Sequence, residues 1–243
     1  MNSILSNSLR ILGLVVIVSL TSCGGGGGGG GDEDESSASV SANGLWEGSF
    51  TEVGVGTFNV GGLLYNGRII AISESAGVIY DGSYTVSGNN LSGNVIMYYI
   101  NGSAFGTATL SGTVTEQSSI SASYSASTGS TGTISLSFDS NYNRDSSLSL
   151  IAGFWDSISG TALTIVIQDD GTFFGQDSDG CVFDGEVSIL DTKYNLYDVD
   201  LLAASCGVFN GSYTGFATLL STIVLEVVIS NDNYIIFKQF VRQ

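Results

Sequence analysis

Apolar and polar positions alternate along most of this chain with a period of two. Ser119-Ile120-Ser121-Ala122-Ser123-Tyr124-Ser125-Ala126 places every apolar side chain on one face and every hydroxyl on the other, and Thr133-Ile134-Ser135-Leu136-Ser137-Phe138 does the same. That spacing predicts half-buried β-strands. Asn66-Gly67, Asp81-Gly82, Gly88-Asn89-Asn90, Asp170-Gly171 and Asp179-Gly180 fall at hairpin intervals and predict turns. After Cys23 no window carries sustained apolar residues at i, i+3, i+4 and i+7, so no helix is predicted.

The chain also repeats itself. Gly44-Leu45-Trp46 returns as Gly153-Phe154-Trp155, an offset of 109. The run from Asn101 to Leu110 returns as Asn210 to Leu219 at the same offset, with seven of ten positions identical. Between these, Gly77-Val78-Ile79-Tyr80-Asp81-Gly82 matches Gly180-Cys181-Val182-Phe183-Asp184-Gly185. Matches in the same order in both halves indicate a tandem duplication. The copies span 44–145 and 153–243, with a boundary near 146–152. Seven or eight short strands in each copy predict an all-β protein of two tandem small antiparallel meander β-barrels, because closure removes exposed sheet edges.

Each copy opens on Gly-x-Trp and ends on aromatic-x-Arg, in Tyr142-Asn143-Arg144 and Phe240-Val241-Arg242. This resembles the calycin pattern of lipocalins and their relatives. The resemblance implies that Trp46 pairs with Arg144 and Trp155 with Arg242, each Trp plugging one barrel end beneath a guanidinium held by cation–π attraction. These four are expected to be structural residues. The second copy is the more apolar. Thr222-Ile223-Val224-Leu225-Glu226-Val227-Val228-Ile229 is apolar on both faces and so requires a cover outside its barrel, either the first copy or a partner protein.

The N-terminus adds an address. Arg10, the apolar run from Ile11 to Val18 and the small residues Thr21-Ser22 have the three parts of an export signal. The apolar run falls far short of the ~20 residues that cross a bilayer as a lasting helix. Leu20-Thr21-Ser22-Cys23 resembles the lipobox of bacterial lipoproteins. The resemblance implies that residues 1–22 are removed as a signal peptide and that Cys23 is acylated. Several acyl chains, each gaining about 0.8 kcal/mol per buried CH2, make a stable membrane anchor. Gly24 stands where lipoproteins retained at the inner membrane carry Asp, which implies the outer membrane. The alternative is an ordinary secretory signal with an incidental cysteine. Residues 23–43 begin with eight glycines after Cys23 and continue through Asp32-Glu33-Asp34-Glu35, a composition expected to form a disordered tether spanning about 25 Å on average.

Composition then excludes partners and chemistry. Without residues 1–22 the chain keeps 5 of its 6 basic residues against 23 acidic ones, 5 − 23 = −18, and that field repels nucleic acid and anionic headgroups. The absence of histidine removes the commonest general base, the commonest transition-metal ligand and the Ser-His and Cys-His nucleophile pairs. Cys181 and Cys206 flank two runs, 182–190 and 196–204, which read as a hairpin turning near Lys193-Tyr194. Facing positions in that hairpin sum to about 387, as do 181 and 206, so a disulfide is expected at its open end. Asp139-x-Asn141-x-Asn143-x-Asp145 has the alternating oxygens of a calcium loop. It lacks the glycine and glutamate that an EF-hand loop requires, and reads rather as a polar barrel exit leading into the linker, with a calcium site as the lesser alternative. The acidic turns at 169–171 and 177–180 bracket one predicted strand, ~15–20 Å long, and so would not share an ion. No catalytic residue, metal or cofactor is expected. The chain reads as a non-catalytic envelope module for binding or structure, with a lipocalin-like carrier of a small hydrophobic ligand as the alternative and a carboxylate-based hydrolase as the third reading.

Overall fold

The computed structural model describes residues 39–158 and 160–243; the expected signal peptide, Cys23 and the 23–38 part of the tether lie outside the described residues. Two closed eight-stranded antiparallel barrels follow one another along the chain. The first comprises β1 (Gly44–Glu52), β2 (Gly56–Tyr65), β3 (Arg68–Ser73), β4 (Val78–Ser87), β5 (Asn90–Tyr99), β6 (Ala104–Thr115), β7 (Ser119–Ala126) and β8 (Thr131–Asp139). The second comprises β9 (Gly153–Ser157), β10 (Leu163–Ile167), β11 (Thr172–Asp177), β12 (Val182–Ile189), β13 (Tyr197–Ala204), β14 (Gly211–Ser221), β15 (Val224–Ser230) and β16 (Ile235–Arg242). Each strand pairs with its neighbour in sequence, and β1–β8 and β9–β16 pairing closes the barrels.

The strict alternation of β7 becomes its burial pattern, with Ile120, Ala122 and Ala126 turned inward and the serines between them exposed. Asn66-Gly67 forms a two-residue hairpin with φ of 46° and 84°, the left-handed pair that suits the twist of the flanking strands. Asp81-Gly82 is different. Its Asp-Gly pattern predicts a turn, yet both residues lie inside β4, with Asp81 opposite Ile96. A Cβ at Gly82 would stand 2.0 Å from the Asn94 carbonyl oxygen, and one at the repeat-related Gly185 would stand 2.1 Å from that of Asp200. These glycines permit close backbone approach where the sheet bends.

The linker contains one helical turn, α1 (Leu148–Ile151), too short to leave a periodic trace in the sequence. Its last carbonyl, on Ile151, accepts Trp155 Nε1–H at 2.7 Å, and the Ala42 carbonyl accepts Trp46 Nε1–H at 3.0 Å. Both indoles are fully buried. Each therefore closes one end of its barrel, held by the carbonyl four residues earlier.

The barrels lie side by side. Ile79, Tyr98 and Ile235 are buried together with Ile72, Val228 and Phe237, and Leu63, Tyr142 and Leu196 form a second shared cluster. The outer face of β15 carries Val224, Glu226, Val228 and Ser230, and the first barrel packs against it at Val228 and Ser230. Between the clusters Arg68 makes a bidentate ion pair with Asp81 at 3.2 and 3.1 Å and donates to Ser230 Oγ of the second barrel at 2.9 Å. Its guanidinium sits 5.4 Å from the ring centre of Phe216. At the closed ends, buried Asn195 donates its backbone N–H to the Tyr142 carbonyl at 2.9 Å. At the opposite ends, Ser103 of the first barrel bridges to Tyr234 of the second. Both open mouths therefore face the same side.

Candidate functional site

Closing a strictly alternating sheet turns its apolar face inward. Whether side chains then fill the interior depends on their size. In both barrels they leave it partly empty.

The first barrel encloses a cavity of about 330 Å³ above Trp46, walled by residues such as Val95, Met97, Ala122 and Leu136. Its polar lining comprises the phenols of Tyr80 and Tyr124 together with Glu52, Ser75, Thr128 and Ser130. Phe50 contacts Tyr80 and Tyr124 edge-on, at 6.3 and 6.0 Å between ring centres. Burial, then the neighbouring Tyr124 and Glu52, push the Tyr80 hydroxyl far above the ordinary tyrosine range. The Tyr124 hydroxyl, also pushed up by burial and Glu52, is buried without a hydrogen-bond partner among the described residues.

The second barrel encloses about 620 Å³, lined by Ile165, Phe173, Val187, Val199, Val227 and Ile229 among others. Ile151 and Phe240 reach this space from the closed end. The mouth is built from Thr161, Asp177, Asp179, Cys206 and Phe209, and also from Ile100 and Asn101 of the first barrel. The β5–β6 loop that carries them is pinned by the Ser103–Tyr234 bridge and by Gly102, whose carbonyl accepts Ile235 N–H at 3.4 Å. One barrel thus completes the rim of the other.

The disulfide Cys181–Cys206 joins two rim loops, with Cα atoms 4.5 Å apart. The β12–β13 register is Val182↔Ala204, a sum of 386, one less than the facing positions expected from the sequence. Ser205, at φ 60°, takes up the extra residue and brings Cys206 opposite Cys181. At the closed end of the second barrel the Arg242 guanidinium lies 4.4 Å from the Trp155 ring centre and donates to the carbonyls of Ala152 and Leu150.

The matching pair expected in the first barrel, Trp46 with Arg144, is not built. Phe138 packs edge-on against Trp46 at 5.5 Å, while Arg144 donates to the Leu219 carbonyl of the second barrel. Pairing explains the difference. Trp155 stands opposite Arg242, but Trp46 stands opposite Phe138. β8 ends at Asp139, and a 3-10 turn, Ser140–Asn143, carries Arg144 out of the barrel toward its neighbour.

That turn also disperses the calcium-like run. Asp139 Oδ1 accepts Asn141 N–H at 2.9 Å as a cap, and Asn143 donates to Gln117 at 3.2 Å. The two acidic turns lie at opposite ends of β11. Asp170 accepts from the Thr172 hydroxyl at 2.7 Å and its N–H at 3.0 Å, bonds that hold its carboxyl below the usual range. Asp177 Oδ1 accepts backbone N–H groups of Asp179 and Cys181 at 3.0 and 2.9 Å. Among the described residues no cluster of three or more Cys, Asp and Glu is arranged to hold a metal ion.

Two features escaped the sequence reading. Lys238 lies on the inner wall of the second cavity, but the apolar run Ile235-Ile236-Phe237 before it hides which face points inward. Glu226 lies on the outer face of β15 in a space of about 250 Å³ between the barrels, beside Glu47 and Gln239. Burial, and then the nearby Glu74 and Glu47, raise its pKa against the Gln239 hydrogen bond of 2.9 Å that lowers it. Compared with known proteins, the chain matches no family model, no curated sequence and no solved structure.

Proposed function

We propose that this protein is a non-catalytic, membrane-anchored envelope protein that holds a small apolar ligand in its second barrel. The observation that carries this is the apolar cavity of about 620 Å³, open at one end and closed at the other by the Trp155 region. Ligand sites are typically apolar concavities of ~300–1,000 Å³ with a few placed polar groups. A barrel with only a structural role gains nothing from such a void, since each unfilled space forfeits dispersion contacts. The lipobox-like sequence ending at Cys23 supports the anchor. The chain enters the first barrel at its closed end, where Val40 N–H bonds the Gly88 carbonyl and Ala42 is buried, so both mouths lie at the far side from that entry.

Native mass spectrometry of protein purified without detergent exchange tests the reading. The expected result is an apolar small molecule released on unfolding. Protein that is empty as isolated, and that takes up no long-chain probe, would refute it.

A further inference from the structure

The barrels meet through a face that the duplication made twice. In the first barrel an outward row crosses β1 to β4 as Leu45, Leu63, Ile70 and Asp81, each opposite the next. That row is docked. Leu63 packs with Leu196, Ile70 borders the space between the barrels, and Asp81 accepts the Ser230 hydroxyl of the second barrel at 2.5 Å. Leu63 and Ile70 are left 7% and 4% exposed. Starting likewise from the residue before the plugging Trp, the same register in the second barrel gives Phe154, Val166, Phe174 and Asp184. This row lies open. Phe154 is 59% exposed and Phe174 50%, and of the chain's 12 phenylalanines these two alone are exposed. Apolar side chains scattered singly over a surface are ordinary, but a contiguous row at a position that is docked in the sister barrel marks an interaction surface.

The docked row of the first barrel is received by the outer face of β14 to β16, through Phe216, Val228 and Phe237. Another copy of the chain offers no free face of that kind on its first barrel. At the repeat offset of 109, Thr107 stands in place of Phe216. Ser127, whose N–H bonds the Thr107 carbonyl, stands in place of Val228, the residue opposite Phe216. From Thr107 onward β6 turns only Ser and Thr outward, as do β7 and β8 as far as Ser137. Head-to-tail stacking of copies would press an apolar row against a hydroxylated wall. The match that remains for the open row is its own image, and such a contact closes on itself.

We infer that this protein forms a two-fold homodimer through the outer face of β9, β10 and β11. An axis along β10 sets Phe154 against Phe174 of the second copy and Val166 against its own image. Gln243, whose N–H bonds the Phe154 carbonyl, continues the row, so Asp184 meets that end rather than another carboxylate. Asp156, Thr164 and Gln176 flank the phenylalanines on the same three strands and supply a polar rim. These strands also turn Ile165 and Phe173 into the second cavity, so the contact lies on the outside of its wall. The inference is independent of what that cavity holds.

The test is sedimentation velocity of the full chain from nanomolar to high micromolar concentration, where a monomer–dimer equilibrium is expected. Phe154→Ser combined with Phe174→Ser should raise the dissociation constant at least about a hundredfold, because each lost side chain counts on both sides of a two-fold contact. Val166→Cys keeps both phenylalanines and should cross-link to its own image through a short bis-maleimide, whereas Ser123→Cys on the hydroxylated face should not. Oligomers that grow past the dimer, cross-linking through the Ser123→Cys variant, or association abolished by Ser123→Glu would show head-to-tail docking and overturn the two-fold assignment. A monomer at every concentration, or a dimer that survives loss of both phenylalanines, would overturn the inference outright. If such a monomer binds phosphatidylcholine vesicles and loses that binding with the two phenylalanines, the face belongs to lipid instead.

Discussion

Removing the disulfide tests how the two barrels are coupled as well as the bridge itself. The Cys181–Cys206 link closes a loop with a sequence separation of 25. On the chain-entropy relation that constraint lowers the entropy of the unfolded chain by about 12 cal/mol/K, or about 3.5 kcal/mol at 25 °C. How far the melting temperature falls depends on the size of the unit that unfolds. Ile79, Tyr98, Ile235, Leu63, Tyr142 and Leu196 are buried in the two clusters shared by the barrels. At about 1.5–3 kcal/mol each, they represent about 9–18 kcal/mol of gross burial that separation would forfeit. That is comparable to the whole stability of a domain, about 5–15 kcal/mol, so neither barrel should survive the unfolding of the other. The residues from 36 to 243 should then melt as one unit, for which about 1 kcal/mol shifts the midpoint about 2–4 °C. The Cys181→Ser, Cys206→Ser double variant should show one calorimetric transition lowered by about 7–14 °C. An unchanged midpoint would mean the thiols are unpaired. Two transitions, with only one shifted and by about twice as much, would refute the coupling argument.

Two further outcomes are expected. Glu226 has a raised carboxyl pKa in the folded protein, so its stabilising proton is held below the ordinary glutamate range and lost as pH rises through the folded value. Glu226→Gln should therefore raise the melting temperature at pH 7, with the gain shrinking toward nothing as pH falls through the unfolded glutamate range; a gain independent of pH would sink the account. Cys23→Ser should give protein that is unacylated and no longer partitions with membranes, and continued acylation or membrane partition would contradict the anchor proposal.

Legibility in the sequence followed the range of the interactions. Strand and barrel class were readable because alternation and turn residues are local, and duplication was readable because the run ending at Leu110 and the one ending at Leu219 keep their identity at a fixed offset. Register was less accessible. Tyr142-x-Arg144 and Phe240-x-Arg242 look alike as text, but Arg242 lies within β16 whereas Arg144 follows β8 by a 3-10 turn. Asp81-Gly82 has turn composition inside β4, because a glycine needed for close backbone approach looks the same as one needed for a positive φ. The disulfide was found despite a register error of one, since left-handed Ser205 supplies the missing residue. Neither cavity volume was readable, because an interior void is a sum over eight strands of inward side-chain sizes, which no local pattern contains.

Duplication gives both halves the same plan, and the differences between them follow from where each copy was free to change. Both keep an indole bonded to the carbonyl four residues earlier, because losing it would open the closed end onto water. The interior is less constrained, since any apolar residue of fitting size preserves closure. There the copies diverge: about 330 Å³ with Tyr80, Tyr124 and Glu52 on the wall in the first, about 620 Å³ with Lys238 on the wall in the second. The surfaces diverge in a complementary way. The first barrel exposes hydroxyl-rich β7 to solvent, while the second turns the Val228 face of β15 toward its neighbour. Docking at that face brings the Ile100–Asn101 loop of the first barrel to the mouth of the second cavity. On this reasoning the first copy borders the cavity of the second, and a second barrel detached from its neighbour would lose both its cover and part of its rim.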